Sequence, residues 1–302
     1  MKKTPNFEAN VLWVVILVCL GVSLPVQAWQ SPAAATGEQK SLLREPSRQK
    51  SATLQDSTSG EEIRTLRVLS YNIHHGEGID RQLDLNRIAK VILSVHPDLV
   101  ALQEVDQKTT RTDQVDQLAE LKKLTKMPYA AFGANLDFQG GKYGNAILSK
   151  HPFTRQQNTP LPNLTDGEPR GILSVQISSQ AIGTQSPLLF MATHFDHRRI
   201  DTDRIRSAKV IPKIIAQNEA KLAIIAGDFN DVDNSPTLKA IEAHLQRSNS
   251  TILPTVPVKS PTRQIDFVFS WPKTRFHCLK TTVLKEAVAS DHRAVLAVFK
   301  LN

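Results

Sequence analysis

The feature that most constrains this chain is a short apolar run at residues 222–226, which ends at Gly227 and is followed at once by Asp228 and Asn230. Its length and partly β-branched composition predict a buried strand rather than a helix. We expect Gly227 to let the backbone turn, so that Asp228 and Asn230 emerge at the carboxyl end of the strand, where α/β sheets bind ligands. The alternative is a polar turn in which these side chains only satisfy local backbone groups.

The same arrangement recurs along the chain. Six clusters of polar residues accompany apolar strand patterns, at residues 71–76, 103–106, 193–197, 227–231, 265–267 and 290–292. Any one of them is compatible with a capped turn. Six together predict a shared site lined by carboxylates, carboxamides and imidazoles.

The hydrophobic periodicity predicts an α/β domain over residues 65–302, with helices covering stacked sheets. Strands are predicted at residues 64–72, 99–103, 143–149, 172–177, 188–194, 222–226, 264–269 and 294–299, and helices at 85–92, 116–124, 201–218 and 236–243. Asp84 is the expected N-cap of the first helix. Pro212 should kink or split the third helix.

The first residues have the layout of a secretory signal peptide. Lys2 and Lys3 precede an uncharged apolar run at residues 11–26, and residues 26–28 resemble a small-residue cleavage site. The run is short for a membrane span, although an uncleaved anchor is the alternative. We therefore expect residues 1–28 to direct export to the periplasm or the medium, and the polar residues 29–64 to form a flexible linker.

The amino-acid composition excludes few classes of binding partner. The formal net charge of +8 is compatible with a polyanionic partner such as nucleic acid or anionic lipid. However, the basic residues are scattered and aromatic residues make up only 6% of the chain, which gives little support to a nucleic-acid platform. Oxygen donors dominate the six clusters, and the clusters contain no cysteine. This donor set favours Mg²⁺, with Mn²⁺ as a second choice, and the histidines leave zinc open as a further possibility.

The ordered set of clusters resembles the endonuclease/exonuclease/phosphatase superfamily, which includes pancreatic deoxyribonuclease, apurinic endonucleases, neutral sphingomyelinases and inositol polyphosphate 5-phosphatases. The resemblance covers nearly all of residues 65–302. The motifs at residues 71–76, 103–106 and 143–146 are most similar to a bacterial hydrolase branch. That branch is itself similar to eukaryotic proteins linked to lipid remodelling of glycosylphosphatidylinositol anchors.

This resemblance implies a four-layer α/β sandwich of the DNase I-like type, with two packed mixed sheets flanked by helices. It also implies a divalent metal held mainly by Glu104, with Asn72 beside it and Asp291 completing the oxygen ligands. A divalent ion offsets the negative charge that builds up on phosphate oxygens during hydrolysis.

The resemblance implies roles for five catalytic residues. Asp228 and Asn230 would position the attacking water and the phosphate. His292, oriented by Asp266, would act as a general base or hold the phosphate. His194 would contact a phosphate oxygen or help to protonate the leaving group.

Two further residues are predicted to contact the substrate. Arg111 would clamp a phosphate, with an ordinary surface charge as the alternative, and Asn145 would face the substrate. Arg170 is a weaker candidate for a phosphate contact. His74 and His75 either shape the site or belong to an exposed loop.

The implied function is hydrolysis of phosphate esters, most simply of diesters. A phospholipid or lipid-anchor substrate is slightly favoured, and a secreted nuclease acting on DNA or RNA is the alternative. A noncatalytic binding module on the same fold is a minority alternative, because Glu104, Asp228, Asp291 and His292 are all present. The sequence indicates no obligate protein partner, and we expect a monomer.

Overall fold

Two six-stranded sheets form the centre of residues 64–301, the part of the chain that the computed structural model describes. In chain order the strands are β1 (Thr65–Asn72), β2 (Leu99–Gln107), β3 (Tyr129–Phe138), β4 (Gly141–Ser149), β5 (Phe153–Pro160), β6 (Gly171–Ile177), β7 (Leu188–His194), β8 (Leu222–Asp228), β9 (Gln246–Arg247), β10 (Asp266–Trp271), β11 (His277–Val283) and β12 (Val295–Lys300). The first sheet has the order β11-β12-β1-β2-β4-β3, and the second has the order β5-β6-β7-β8-β10-β9.

Five of the six α-helices in the described residues pack on the outer faces of the two sheets, and the short third helix contributes to the core between them. The helices are α1 (Leu85–Leu93), α2 (Gln117–Thr125), α3 (Ser179–Ile182), α4 (Thr202–Ala208), α5 (Ile211–Gln217) and α6 (Pro236–Glu242). The Asp84 carboxylate accepts hydrogen bonds from the first backbone N–H groups of α1, which confirms it as the N-cap. The helical pattern around Pro212 is indeed split, since α4 ends at Ala208 and Pro212 lies in the first turn of α5.

Three hydrophobic clusters hold these layers together. The central one joins the inner faces of the two sheets, where side chains such as Val68 of β1 meet Phe190 of β7 and Ile224 of β8. A second cluster packs α1 and α2 on the outer face of the first sheet. A third packs α4, α5 and α6 on the outer face of the second sheet. This arrangement confirms the four-layer α/β sandwich.

The topology brings the predicted site residues to one edge of the sandwich. β1 and β2 run parallel in the first sheet, and β7 and β8 run parallel in the second, so each pair ends at a single edge. β10 is antiparallel to β8, and β12 is antiparallel to β1. The starts of β10 and β12 therefore lie beside the ends of β8 and β1.

Gly227 differs from our expectation. It continues β8 in extended conformation, and the strand runs on through Asp228. A Cβ atom at this position would lie 2.1 Å from the carbonyl oxygen of Thr193 on the neighbouring strand. Gly227 is therefore needed for the close approach of β7 to β8 and not for a turn. The left-handed residue that redirects the chain is Asn230, with φ of 50°.

Four strands had no counterpart in the sequence predictions: β3, β5, β9 and β11. The predicted signal peptide, and all of the predicted linker except Arg64, lie outside the described residues. Within residues 64–301, no helix combines the length and the apolar character needed to cross a bilayer.

Candidate active site

A cavity of about 350 Å³ opens at the edge where the ends of β1, β2, β7 and β8 meet. Seven of the ten predicted site residues line it: Glu104, Arg111, His194, Asp228, Asn230, Asp291 and His292. The other three, Asn72, Asn145 and Asp266, are fully or almost fully buried behind its wall. The strand-end clusters thus come together, as the sequence predicted.

Glu104 reaches the cavity from within a strand and not from beyond its end, which corrects the predicted end of β2 near residue 103. The pairing of β2 with β4 shifts register between Leu102 and Val105, and Glu104 has φ of 58°. A bulge of this kind redirects a side chain that regular alternation would place elsewhere. The left-handed backbone of Glu104 is strained for a residue with a Cβ, and such strain is concentrated at functional sites.

Asn72 orients two of the acidic groups. Its amide nitrogen donates to Glu104 Oε1 at 3.0 Å and to Asp228 Oδ2 at 3.2 Å, and its side-chain oxygen accepts the backbone N–H of His74 at 3.0 Å. Ser290 Oγ donates to the Asn72 backbone carbonyl at 2.7 Å, which ties β1 to the segment that carries Asp291. Asn72 therefore connects both sides of the cavity.

The carboxylates of Glu104 and Asp291 have the chemistry that a divalent cation requires. Among residues 64–301, Glu104 accepts one side-chain hydrogen bond, from Asn72, and Asp291 accepts a long one of 3.4 Å from Ser290 Oγ. Each carboxylate therefore keeps free lone pairs, and both line the same cavity. Oxygen donors of this type are the preferred ligands of Mg²⁺.

Asp228, Asp266 and His292 form a buried cluster at the centre of the site. Asp266 and Asp228 are direct partners across β8 and β10. His292 Nδ1 lies 3.0 Å from Asp266 Oδ2, and its Nε2 lies 3.7 Å from Asp228 Oδ2. Asp266 thus fixes the orientation of the imidazole, as the resemblance implied.

Burial and mutual repulsion shift the protonation of this cluster. Burial raises the pKa of Asp228, and the negative charge of Asp266 raises it further. Burial opposes the charged form of His292, but Asp266 and Asp228 outweigh it and raise the pKa of His292. The raised pKa of His292 favours the imidazolium, which donates from both ring nitrogens.

His194 has a different protonation state, which Arg170 determines. Arg170 Nη1 donates to His194 Nδ1 at 2.9 Å. Because a guanidinium only donates, Nδ1 must accept, and the ring proton lies on Nε2. Burial, together with the adjacent Arg170 charge, holds the pKa of His194 well below its ordinary value. The Nε2–H group, 3.5 Å from Asp228 Oδ2, is thus a fixed hydrogen-bond donor at the cavity.

Arg170 is the main site residue that the sequence ranked too low. Its side chain is only 6% exposed, and it also contacts Glu168 Oε1 at 2.9 Å and His197 Nδ1 at 3.3 Å. All three residues line the cavity. The only sequence signal was the tripeptide Glu168-Pro169-Arg170 ahead of a strand, which looks like an ordinary loop.

Arg111 lies in the cavity wall, so the surface-charge alternative is wrong. Its Nε and Nη2 donate to the two oxygens of the buried Asp106 at 2.7 and 2.8 Å. The guanidinium carbon lies 4.7 Å from the centre of the Phe138 ring and 5.4 Å from that of Tyr143. Asp106 and the two rings hold Arg111 rigidly, and its Nη1 group makes no hydrogen bond to residues 64–301.

The two predicted asparagines have different positions. Asn230 lines the cavity, where its backbone N–H donates to Asp228 Oδ1 at 2.9 Å and its side chain donates to the Phe195 carbonyl at 3.0 Å. Asn145 was predicted to face the substrate, but the structure places it elsewhere: it is fully buried and donates to the Gly171 carbonyl at 2.9 Å. It links β4 of the first sheet to β6 of the second.

Comparison with known proteins gives one family and one fold. The sequence model of the Endonuclease/Exonuclease/phosphatase family matches residues 69–292. An uncharacterized protein of Escherichia coli, YbhP, is 24% identical over 217 residues, which cover 68% of this chain and 84% of YbhP.

Two solved structures illustrate the similarity in fold. A protein from Beutenbergia cavernae, described as an endonuclease/exonuclease/phosphatase, has a TM-score of 0.64 and 26% identity, with 79% of this chain and 72% of that chain covered. The mannosyl-6-phosphatase Bt3783 of Bacteroides thetaiotaomicron has a TM-score of 0.61 and 21% identity, with 77% and 98% covered.

Proposed function

The chain belongs to the endonuclease/exonuclease/phosphatase family and is a hydrolase of the phosphoesterase or nuclease type, and from this premise we propose that it is an exported, Mg²⁺-dependent phosphodiesterase. One observation carries the proposal. Glu104, Asp228, Asn230, Asp291, His194 and His292 come from four separate segments and line one cavity, with Asp266 directly behind His292.

Glu104 and Asp291 would hold the metal ion, and Asn72 would orient Glu104 toward it. When bound, a divalent ion supplies positive charge that offsets the charge developing on the phosphate oxygens. The requirement for oxygen ligands favours Mg²⁺, and Mn²⁺ satisfies it as well.

The remaining residues would bind the phosphate, orient the attacking water and transfer protons. The His194 Nε2–H group donates to a nonbridging phosphate oxygen and cannot act as a base, because Arg170 occupies its Nδ1 lone pair. The Asp228 carboxylate, held by Asn72 and the Asn230 N–H, orients the attacking water. His292, kept as an imidazolium by Asp266, holds the phosphate or protonates the leaving group.

The resemblance of the motifs to the lipid-remodelling branch slightly favours a phospholipid or lipid-anchor diester. Leu136 and Phe138 give one wall of the cavity an apolar surface, which suits an uncharged part of such a substrate. The net charge of +8 supports the nucleic-acid alternative. The Bacteroides fold relative is named a mannosyl-6-phosphatase, which adds a sugar phosphate to the candidates that merit testing.

Hydrolysis by the purified protein across a substrate panel tests this proposal. The panel contains sphingomyelin, phosphatidylinositol, DNA, RNA, mannose 6-phosphate and bis(p-nitrophenyl) phosphate, each with Mg²⁺, with Mn²⁺ or with chelator. Chelator-sensitive cleavage of a lipid diester is expected, and cleavage of nucleic acid alone would replace it with the nuclease function.

Two variants make the panel decisive. Glu104→Gln should lower metal affinity and activity together, whereas Glu120→Gln on the outer helix α2 should change neither. Activity that persists in chelator, or in Glu104→Gln with unchanged metal dependence, would remove Glu104 from its proposed role.

Export and oligomeric state are further parts of the proposal. The layout of residues 1–28 supports cleavage after Ala28. Expression of the full chain in a bacterium with two membranes should give a periplasmic protein whose amino terminus is Trp29, and intact protein retained in the membrane would instead indicate an uncleaved anchor. Light scattering of the exported protein should show a monomer.

A further inference from the structure

Two histidines at the cavity have no role in the proposed reaction. His74 and His75 occupy the short 3-10 turn His74–Gly76 that follows β1, and both line the cavity next to Glu104. Their ring centres are 4.5 Å apart. Adjacent imidazoles beside a carboxylate are a combination that transition-metal ions bind.

The three side chains lie close enough to share one ion. A ligand atom from each of His74, His75 and Glu104 lies within 4.8 Å of the others. Two ligands of a metal ion with bonds of roughly 2.1 Å are separated by about 3–4.2 Å. Small side-chain rotations therefore bring all three to one ion.

The hydrogen bonds leave the required lone pairs free. His74 Nδ1 lies 2.9 Å from the backbone carbonyl of Glu77. Because a carbonyl only accepts, Nδ1 carries the proton and Nε2 keeps its lone pair. Donation of one ring N–H to a carbonyl is the usual arrangement around a metal-bound histidine.

His75 has an unsatisfied nitrogen that points to a missing ligand. Its Nδ1 is buried and has no hydrogen-bond partner among residues 64–301, while its Nε2 lies 3.7 Å from Glu77 Oε2. A buried polar atom without a hydrogen-bond partner is destabilising. With the ring proton on Nε2 toward Glu77, Nδ1 offers a lone pair that a bound cation would satisfy.

We propose that His74, His75 and Glu104 form a second metal site that takes a transition-metal dication of the Zn²⁺ or Mn²⁺ type. Glu104 is shared with the Mg²⁺ site of the proposed function, which is the only point at which this inference rests on that function. Two nitrogen ligands make the second site selective, since Mg²⁺ prefers oxygen ligands and transition metals accept imidazole.

Calorimetric titration of the purified full chain with Zn²⁺, and separately with Mg²⁺, tests the proposal. The variants are His74→Asn and His75→Asn, because asparagine tolerates the left-handed backbone of these positions, where φ is 46° and 43°. His244→Asn, at an exposed histidine after α6, is the matched control. Zn²⁺ affinity should fall about tenfold or more in the first two variants, with Mg²⁺ affinity unchanged, and both affinities should be unchanged in the control.

Equal Zn²⁺ affinity in all four proteins would overturn the second site. So would a parallel loss of Zn²⁺ and Mg²⁺ affinity, since the histidines would then act only through the shape of the Mg²⁺ site. The visible spectrum of bound Co²⁺ gives an independent readout and should change in His74→Asn and His75→Asn but not in His244→Asn. None of these results depends on turnover, so failure of the second site in these binding measurements would overturn this inference and leave the proposed function standing.

Discussion

At His194, a single hydrogen bond determines what the ring can do. Arg170 donates to Nδ1, so the Nε2–H group is available as a donor and the ring has no free lone pair. Arg170 is itself buried and held by contacts to Glu168 and His197. Arg170, which looks like an ordinary loop arginine in the sequence, thus controls a neighbour 24 positions away.

Replacement of Arg170 by Met should therefore raise the pKa of His194. Burial still disfavours the charged ring, but the adjacent positive charge that also lowers its pKa is removed. Protonation of His194 then occurs at a higher pH than in the parent protein. Nitrogen NMR of the histidine ring across pH measures this shift, and Arg206→Met, at an exposed position on α4, is the control. An unchanged titration of His194 would show that Arg170 does not set its state.

Replacement of His292 by Ala should lower turnover by roughly 10²–10⁴-fold if the imidazolium donates a proton. His277→Ala, at an exposed position in β11, should leave the rate unchanged. Steady-state rates at saturating metal separate the two variants. A loss of only a few fold would assign His292 to phosphate binding without proton transfer.

Much of the site can be predicted from local sequence patterns, because polar residues that follow apolar strands are recognisable in the sequence alone. The signals gave Asp228, His194 and His292 directly. They could not give the Arg170–His194 bond, which depends on how the loop before β6 packs against the end of β7. The prediction that Asn145 faces the substrate was wrong for the same reason. The sequence of a strand does not show whether a carboxamide points to the cavity or to the other sheet.

At the scale of elements, an aromatic cluster supports the loop that carries Asp228 and Asn230. Phe229 lies between them in sequence and is fully buried, and its ring contacts those of Phe195, Phe267 and Phe269 at centre distances of 5.0, 6.1 and 5.2 Å. Polar and apolar residues alternate here, so one short segment serves the cavity and the core at once.

Phe229→Ala should lower the free energy of unfolding by about 3–5 kcal/mol, because it removes a buried ring and leaves a cavity. Urea denaturation measures the change. Leu164→Ala, at a side chain that is 59% exposed, should change stability by less than about 0.5 kcal/mol. A loss below about 1 kcal/mol for Phe229→Ala would mean that the aromatic cluster does not support the loop.

The predicted elements with continuous apolar runs are confirmed, whereas three of the four missed strands, β5, β9 and β11, are mostly polar. In β5 most side chains are exposed or half-buried, and β11 is similar. Both lie at the edges of their sheets, where one side has no neighbouring strand and selection for apolar residues is weak. Their pairing depends on the adjacent strand, which no local pattern reveals.

At the scale of the whole described domain, several acidic groups are gathered at one cavity. Asp228 and Asp266 are buried partners, and Glu104 is connected to Asp228 through Asn72. Repulsion among them opposes folding, and a bound cation relieves it. Metal binding should therefore stabilise the fold as well as support hydrolysis.

Mg²⁺ at about 100 times its dissociation constant should raise the free energy of unfolding by about 2.7 kcal/mol, and chelator should reverse the gain. Thermal unfolding followed by circular dichroism measures this effect. Glu104→Gln should lose most of the stabilisation and Glu120→Gln should keep it. A melting temperature independent of Mg²⁺ in the parent protein would contradict metal binding by the folded chain.

The two ends of the domain lie side by side, since Thr65 at the start of β1 pairs with Lys300 at the end of β12. During synthesis, β1 can therefore pair with β12 only after the rest of the domain has been made. A growing chain cannot complete its first sheet before then. This order of synthesis is compatible with the export proposed above, since a chain with an incomplete sheet is easier to keep unfolded during passage through a membrane channel.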